Sequence, residues 1–195
     1  MLQNSNDRGS KGGIATRYLV LLLALVLVVP AALAKTLQSA YDEAGPGEGY
    51  DKLLVLDAEV TYTGGLGILQ GKKSCIRGNG ALCDLDSGQI FVSQTGTELD
   101  ITGCCLIDGG ASGAIYVADS AEANIDGNTI CKSGVGLYLW AYSSATVKNN
   151  IIFKNNGSGG SMYGIAKHQD TGTLDILYND VDSNYGGNYM YFCPG

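Results

Sequence analysis

The sequence predicts an all-β fold, a single-stranded right-handed parallel β-helix whose first coil is closed by a short N-terminal helix. Three observations carry that prediction. A frame of apolar residue, two residues, Asn, one residue, apolar residue returns as IDGNTI from Ile125, VKNNII from Val147 and ILYNDV from Ile176. It recurs upstream as ITGCCL from Ile101, with Cys104 in the Asn slot, and as IRGNGA from Ile76, with Asn79 in it. The spacings are 25, 24, 22 and 29 residues, a period that marks a stacked-repeat architecture. A glycine-led apolar run follows each copy, and the composition, with 29 Gly, only 3 Pro and abundant Ile, Val, Leu and Tyr, suits short strands joined by tight turns.

Residues 1–34 read as a signal peptide: Arg8, Lys11 and Arg17 give a basic start, the stretch from Tyr18 to Pro30 is almost wholly apolar, and Ala32-Leu33-Ala34 offers a small-x-small cleavage site. A membrane anchor is the competing reading. Pro30 and the cleavage motif argue against it, and the run is shorter than the ~20 residues a comfortable span needs. The expected location is therefore secreted or extracytoplasmic, with no membrane contact after cleavage and residues 35–195 forming the folded domain. Removing the leader takes three of the 12 basic residues and one of the 19 acidic ones, leaving 9 against 18 and a net charge of −9. Such a surface repels phosphate backbones, so nucleic acid is excluded as an expected partner.

Within each frame the first and last residues are apolar, and so, or small, are those two before it, Leu99, Ala123, Ala145 and Leu174. That alternation predicts a strand with one buried face. The Asn falls where this strand turns into the next. Its tolerance of the left-handed backbone, and an amide that both donates and accepts, predict an internal asparagine ladder of Asn128, Asn150 and Asn179. Six cysteines in an exported chain invite disulfides, yet no two share a column of adjacent coils, so buried thiols are the expected state.

The glycine-led runs GQIFV at 88, GAIYV at 113, GLYLW at 136, GIAKH at 164 and GNYMY at 187 predict the third strand of each coil. With Ile90, Val92, Ile115, Val117, Leu137 and Leu139 inward, alternation turns Phe91, Tyr116, Tyr138 and Trp140 outward on neighbouring rungs, with Tyr189 and Tyr191 as candidate extensions and His168 near the same row. Outward aromatics in register form a flat apolar ladder suited to sugar rings, and also good sheet cover without any ligand.

The repeat, together with the entry segment LQSAYDEAGPGEGYDKLLVLDAEVTYTGGLGI, resembles the pectin-lyase-like right-handed parallel β-helix proteins, and within them the secreted β-helix repeat group. The resemblance runs from about residue 36 to the end. It implies a short amphipathic helix over the barrel end, and Leu37, Ala40, Tyr41 and Ala44 have the spacing of its buried stripe. It also implies that the third-strand sheet lines a polysaccharide groove. At the other end YMYFCPG stops just after a strand-like run, and the natural chain is expected to continue.

The catalytic equipment of that superfamily is largely missing. The chain lacks the Asp-Asp, Gly-His-Gly and Arg-x-Lys motifs that the galacturonan hydrolases carry, and beyond the leader its sole arginine is Arg77. His168 is the sole histidine, which excludes a multi-histidine metal site. Asp170, two positions on, is a candidate partner for it. Asp100 and Asp126 flank buried positions on adjacent coils and are the candidate ligands for a possible calcium, the alternative being a solvated acidic face. The expected function is a secreted module binding polysaccharide or a cell-surface glycan through Phe91, Tyr116, Tyr138, Trp140 and His168, or a structural surface domain. The alternative is a calcium-dependent polysaccharide lyase acting on acidic glycans.

Overall fold

The computed structural model describes residues 34–156, 162–169 and 172–193. The leader assigned to residues 1–34 lies outside them but for its last residue, and no helix among the described residues is long and apolar enough to cross a membrane. The chain winds into a right-handed parallel solenoid of about six turns. Every named strand pair is parallel, and the strands sort into two six-stranded sheets and one seven-stranded sheet.

Sheet 1 takes the strand before each Asn turn: Lys52–Val55, Lys73–Arg77, Glu98–Thr102, Glu122–Asp126, Ser144–Lys148 and Leu174–Leu177. Its register stacks Leu54, Ile76, Ile101, Ile125, Val147 and Ile176 in one inward column. The five frames found in the sequence are thus five successive rungs, and Leu54 belongs to a rung that the frame does not mark. Sheet 2 takes the strand after the turn, through Leu82–Asp84, Cys105–Ile107, Thr129–Cys131, Ile151–Phe153 and Asp180–Asp182. Sheet 3 takes the glycine-led strands Ile90–Ser93, Ile115–Ala118, Leu137–Leu139, Tyr163–Lys167 and Gly187–Tyr191, with Leu66–Ile68 at its lower edge. Parallel rungs lie ~4.8 Å apart, so each β-branched inward residue packs on its equivalents above and below. The result is one continuous core, in which Ile90, Val92, Ile115, Val117, Leu137 and Leu139 are all at most 1% exposed.

The helix Leu37–Glu43 buries Leu37, Ala40 and Tyr41, with Ala44 partly buried against the core, so the stripe read from the sequence is the stripe that packs. Thr36 caps it by accepting from the Ser39 N–H at 3.1 Å, and the Tyr41 hydroxyl shares a 2.7 Å hydrogen bond with Ser74 inside the barrel. The helix covers apolar side chains at the first coil that water would otherwise reach.

The Asn ladder is present. Asn150 Oδ1 accepts from the Asn128 backbone N–H at 2.9 Å and from Asn128 Nδ2 at 3.1 Å, and Asn179 Oδ1 receives the same two groups of Asn150, each at 2.9 Å. Cys104 joins by backbone alone, its N–H donating to Asn128 Oδ1 at 3.0 Å.

Two details of the predicted turn are corrected. The left-handed residue is not the ladder Asn but the one before it, Gly103, Gly127, Asn149 and Tyr178, with φ of 67°, 63°, 55° and 57°. The side chain must point into the barrel to stack, and an extended residue entered from a left-handed one does that. Asn79 is no ladder member. Its coil turns one residue later, with Asn79 itself at φ 50° and exposed, donating to the Leu56 carbonyl at 3.1 Å. Gly78 fills the space beneath the ladder instead, where a Cβ would stand 2.5 Å from Cys104 Sγ.

All six cysteines are free, Cys75, Cys83, Cys104 and Cys131 buried and Cys105 and Cys193 half-buried. The Cys104 thiol donates to the Thr102 carbonyl at 3.8 Å, and the neighbouring Cys83 thiol of the adjacent coil, with burial second, pushes the Cys104 thiol up. The column rule overlooked this pair because Cys104 sits in the turn rather than in a strand.

Candidate functional site

Sheet 3 carries an outward column of Gly67, Phe91, Tyr116, Tyr138, Ala166 and Met190, in strict register. Strand alternation aims its side chains at solvent, while the columns on either side enter the core. Phe91, Tyr116 and Tyr138 are accordingly half-buried, edged by their neighbours rather than covered. The phenols stay neutral: burial and then the Asp119 charge raise Tyr116, and burial, then Tyr116 and Tyr191, push Tyr138 up to about 12.

The rings follow one another up the sheet. Phe91 and Tyr116 have centroids 5.4 Å apart with planes tilted 41°, and Tyr116 and Tyr138 are stacked at 5.3 Å and 19°. Nearly parallel rings at that separation cannot lie side by side in one plane without their edges colliding, so they are offset face to face. The flat platform expected from the sequence is therefore a tilted stack. Its inner faces cover one another, and it presents ring edges and phenol hydroxyls outward.

Trp140 and His168 follow Leu139 and Lys167, which pair in adjacent rungs. Their rings lie 3.8 Å apart at 37°. Trp140 meets Tyr138 edge-on at 6.1 Å, and His168 meets Tyr138 at 6.4 Å and Tyr191 at 5.4 Å. The sequence-predicted residues Phe91, Tyr116, Tyr138, Trp140 and His168 thus form one chain of ring contacts, which the exposed Tyr191 extends. Tyr189 does not join: it pairs with Ile165 in an inward column and packs against the core. Nδ1 of His168 is buried with no hydrogen-bond partner. Asp170, the acid proposed beside it, lies outside the described residues.

Asp100 and Asp126 project from sheet 1, on a different face from the rings. Asp100 stands opposite Asn124 and Asp126 opposite Thr102, a diagonal relation. Each carboxylate has partners of its own. Asp100 accepts from the Tyr50 hydroxyl, a bond that pushes the Tyr50 phenol up to about 12, and Asp126 meets Lys148 Nζ at 3.4 Å and Asn149 Nδ2 at 2.9 Å. Among the described residues no three His, Cys, Asp or Glu side chains converge as metal ligands. Two shallow depressions of about 170 Å³ also lie on sheet 1, between the outward Glu98, Asp100, Glu122, Asn124 and Thr146 and onward past Ser144. They are open furrows between rungs, and Glu98 at their edge is paired with Lys73 at 2.6 Å.

The ladder that sequence reading missed lies at the next turn. Gly109 N–H donates to Ser133 Oγ at 3.0 Å, Ser133 N–H to Asn155 Oδ1 at 3.0 Å, and Asn155 N–H to Asn184 Oδ1 at 3.1 Å. It sets the corner from which the chain leaves for sheet 3, and so positions the rings. Each member follows a first-ladder residue by five positions, a signal present in the sequence but blurred by Gly and Ser in the slot.

Neither a curated protein nor a solved structure matches the chain. The family model described as the right-handed β-helix region does match, over residues 55–192, which takes in all five frames and the whole ring row. With the register of its rungs now in view, that match places the chain in the right-handed β-helix family.

Proposed function

We propose that the protein is an extracytoplasmic β-helix module that binds polysaccharide along sheet 3. The observation that carries this reading is the unbroken run of ring contacts from Phe91 to Tyr191, on one face and spanning successive rungs. Such a strip gives a saccharide chain apolar edges to pack on and the phenol and indole hydrogens as donors, with little side-chain entropy lost, because the rings already hold one another. A core needs no aromatic on this column, since its neighbours Ile90, Ile115 and Leu137 are buried without it.

Glycan-array binding by the domain of residues 35–195, followed by titration of the best ligand, tests the proposal. Trp140→Ala and Tyr138→Ala should each weaken binding by about tenfold, the scale of one aromatic contact. No bound glycan, or variants that bind as the parent does, makes the row a cover for the sheet and the protein a structural surface domain. Uronate polymers incubated with protein and calcium serve as the control, because the absorbance of an unsaturated product would mark a lyase instead.

A further inference from the structure

The ring stack has an open lower end. On the rung beneath Phe91 the outward column holds Gly67, which is exposed, and a Cβ built there meets nothing within 4 Å. Above, Phe91 is backed by Tyr116 at 5.4 Å; below, it meets no ring among the described residues. The Gly67 N–H, which points along the sheet, is already taken by Gln38 Oε1 at 3.1 Å, so the floor of this notch carries no unmet donor on that side. Leu69, 36% exposed, lies beyond it in the next outward position of the same strand edge.

We propose, building on the reading of sheet 3 as a polysaccharide surface, that this notch is a subsite for one uncharged pyranose ring, stacked on the free face of Phe91 over Gly67. Two observations specify the occupant. The stack advances one ring per rung, 5.4 and 5.3 Å between centroids, and a ligand ring at the next step down completes a series that the side chains leave unfinished. A sugar presents the axial C–H face that an aromatic face attracts. The charge is set by the wider surface: residues 35–195 carry 9 Lys and Arg against 18 Asp and Glu, and Asp119, two rungs above Gly67 and bonded by Ser93 at 2.7 Å, adds to that field on the same sheet. A uronate polymer therefore approaches a surface of its own sign, whereas a neutral one does not.

The decisive variant is Gly67→Phe, which supplies the missing ring from the protein itself. Gly67 has no left-handed backbone and has open space, so the variant should fold with an unchanged melting temperature. Its affinity for a neutral polysaccharide found by the array should fall about tenfold or more, with Phe91→Ala falling similarly. Matched neutral and uronate polymers should differ by at least tenfold in favour of the neutral one, and Asp119→Asn should narrow that gap. Unchanged neutral-glycan affinity in Gly67→Phe overturns the subsite while the surface reading stands, as long as Tyr138→Ala still weakens binding. Equal binding of uronate and neutral polymers overturns the charge assignment. If the parent binds no glycan at all, both the surface and its subsite fall.

Discussion

The two internal ladders run side by side up the same solenoid, five residues apart from Cys104 and Gly109 to Asn179 and Asn184, yet their middle asparagines are bonded differently. In the first, the Asn150 side chain makes five hydrogen bonds: Oδ1 accepts from both groups of Asn128, and Nδ2 donates to the Ile125 and Lys148 carbonyls at 2.8 Å and to Asn179 Oδ1. In the second, Asn184 matches it, accepting from both groups of Asn155 and donating to the Ile152 and Asp182 carbonyls and to Asn188 Oδ1, whereas Asn155 accepts from Ser133 N–H and donates to Asn184 Oδ1 at 2.8 Å. The first ladder closes a turn whose strands are both in register on every rung, so the amide can reach two carbonyls as well as the next amide. The second opens a loop of changing length and reaches the same bonding at Asn184, but it thins below, where Ser133 and then Gly109 take the slot. A ladder is therefore defined by a buried acceptor stacked under a backbone N–H, and asparagine is its fullest version rather than its requirement, since Ser133 fills the same place with a hydroxyl.

That comparison predicts an order of costs. Asn150→Ala removes the acceptor of two Asn128 donors and leaves Asn179 Oδ1 short, and at ~1–3 kcal/mol for each orphaned buried group it should cost about 3 kcal/mol or more in denaturant unfolding. Asn155→Ala orphans fewer groups and should cost about 2 kcal/mol; a loss equal to that of Asn150→Ala would show that the number of bonds is not what separates the two sites. Asn156→Ala, one residue further on and exposed, should stay within about 0.5 kcal/mol of the parent. A substantial loss there would mean that the loop, and not the ladder, fixes the corner.

The legible part of the molecule was the part where side-chain chemistry and register coincide. Ile101, Ile125, Val147 and Ile176 share a column because each stands three residues before its slot, so one alignment of the frame gave the core of sheet 1 and the first ladder together. The second ladder escaped because its slot changes from Gly109 to Ser133 to Asn155, three residue types serving one backbone need. Asn79 misled for the opposite reason: the residue type was right while the turn had moved by one position, which only the φ angles reveal. At the ring row, alternation placed Phe91, Tyr116 and Tyr138 on one column, but it carries no information on χ angles, and the tilt that turns a platform into a stack is a χ property. Tyr189 shows the same limit in register, since the third strand of the last coil runs one residue out of step with the tyrosines that its pattern suggested.

The fixed five-residue step between the ladders has a consequence for how such a chain can change over generations. From Ile101, Ile125 and Val147 to the second-ladder residue the distance is always eight positions, and from the sheet 3 residues Ile115, Leu137 and Ile165 to the next frame it is 10, 10 and 11. Nearly all the variation in coil length falls between them, in steps of 6, 4 and 10 positions from Gly109, Ser133 and Asn155. Insertions and deletions therefore have one tolerated doorway per coil, and every doorway opens beside the ring row. Drift in length is channelled to the border of the outward rings and kept away from the ladders, so a lineage of this kind can remake what its surface meets while inheriting its interior intact.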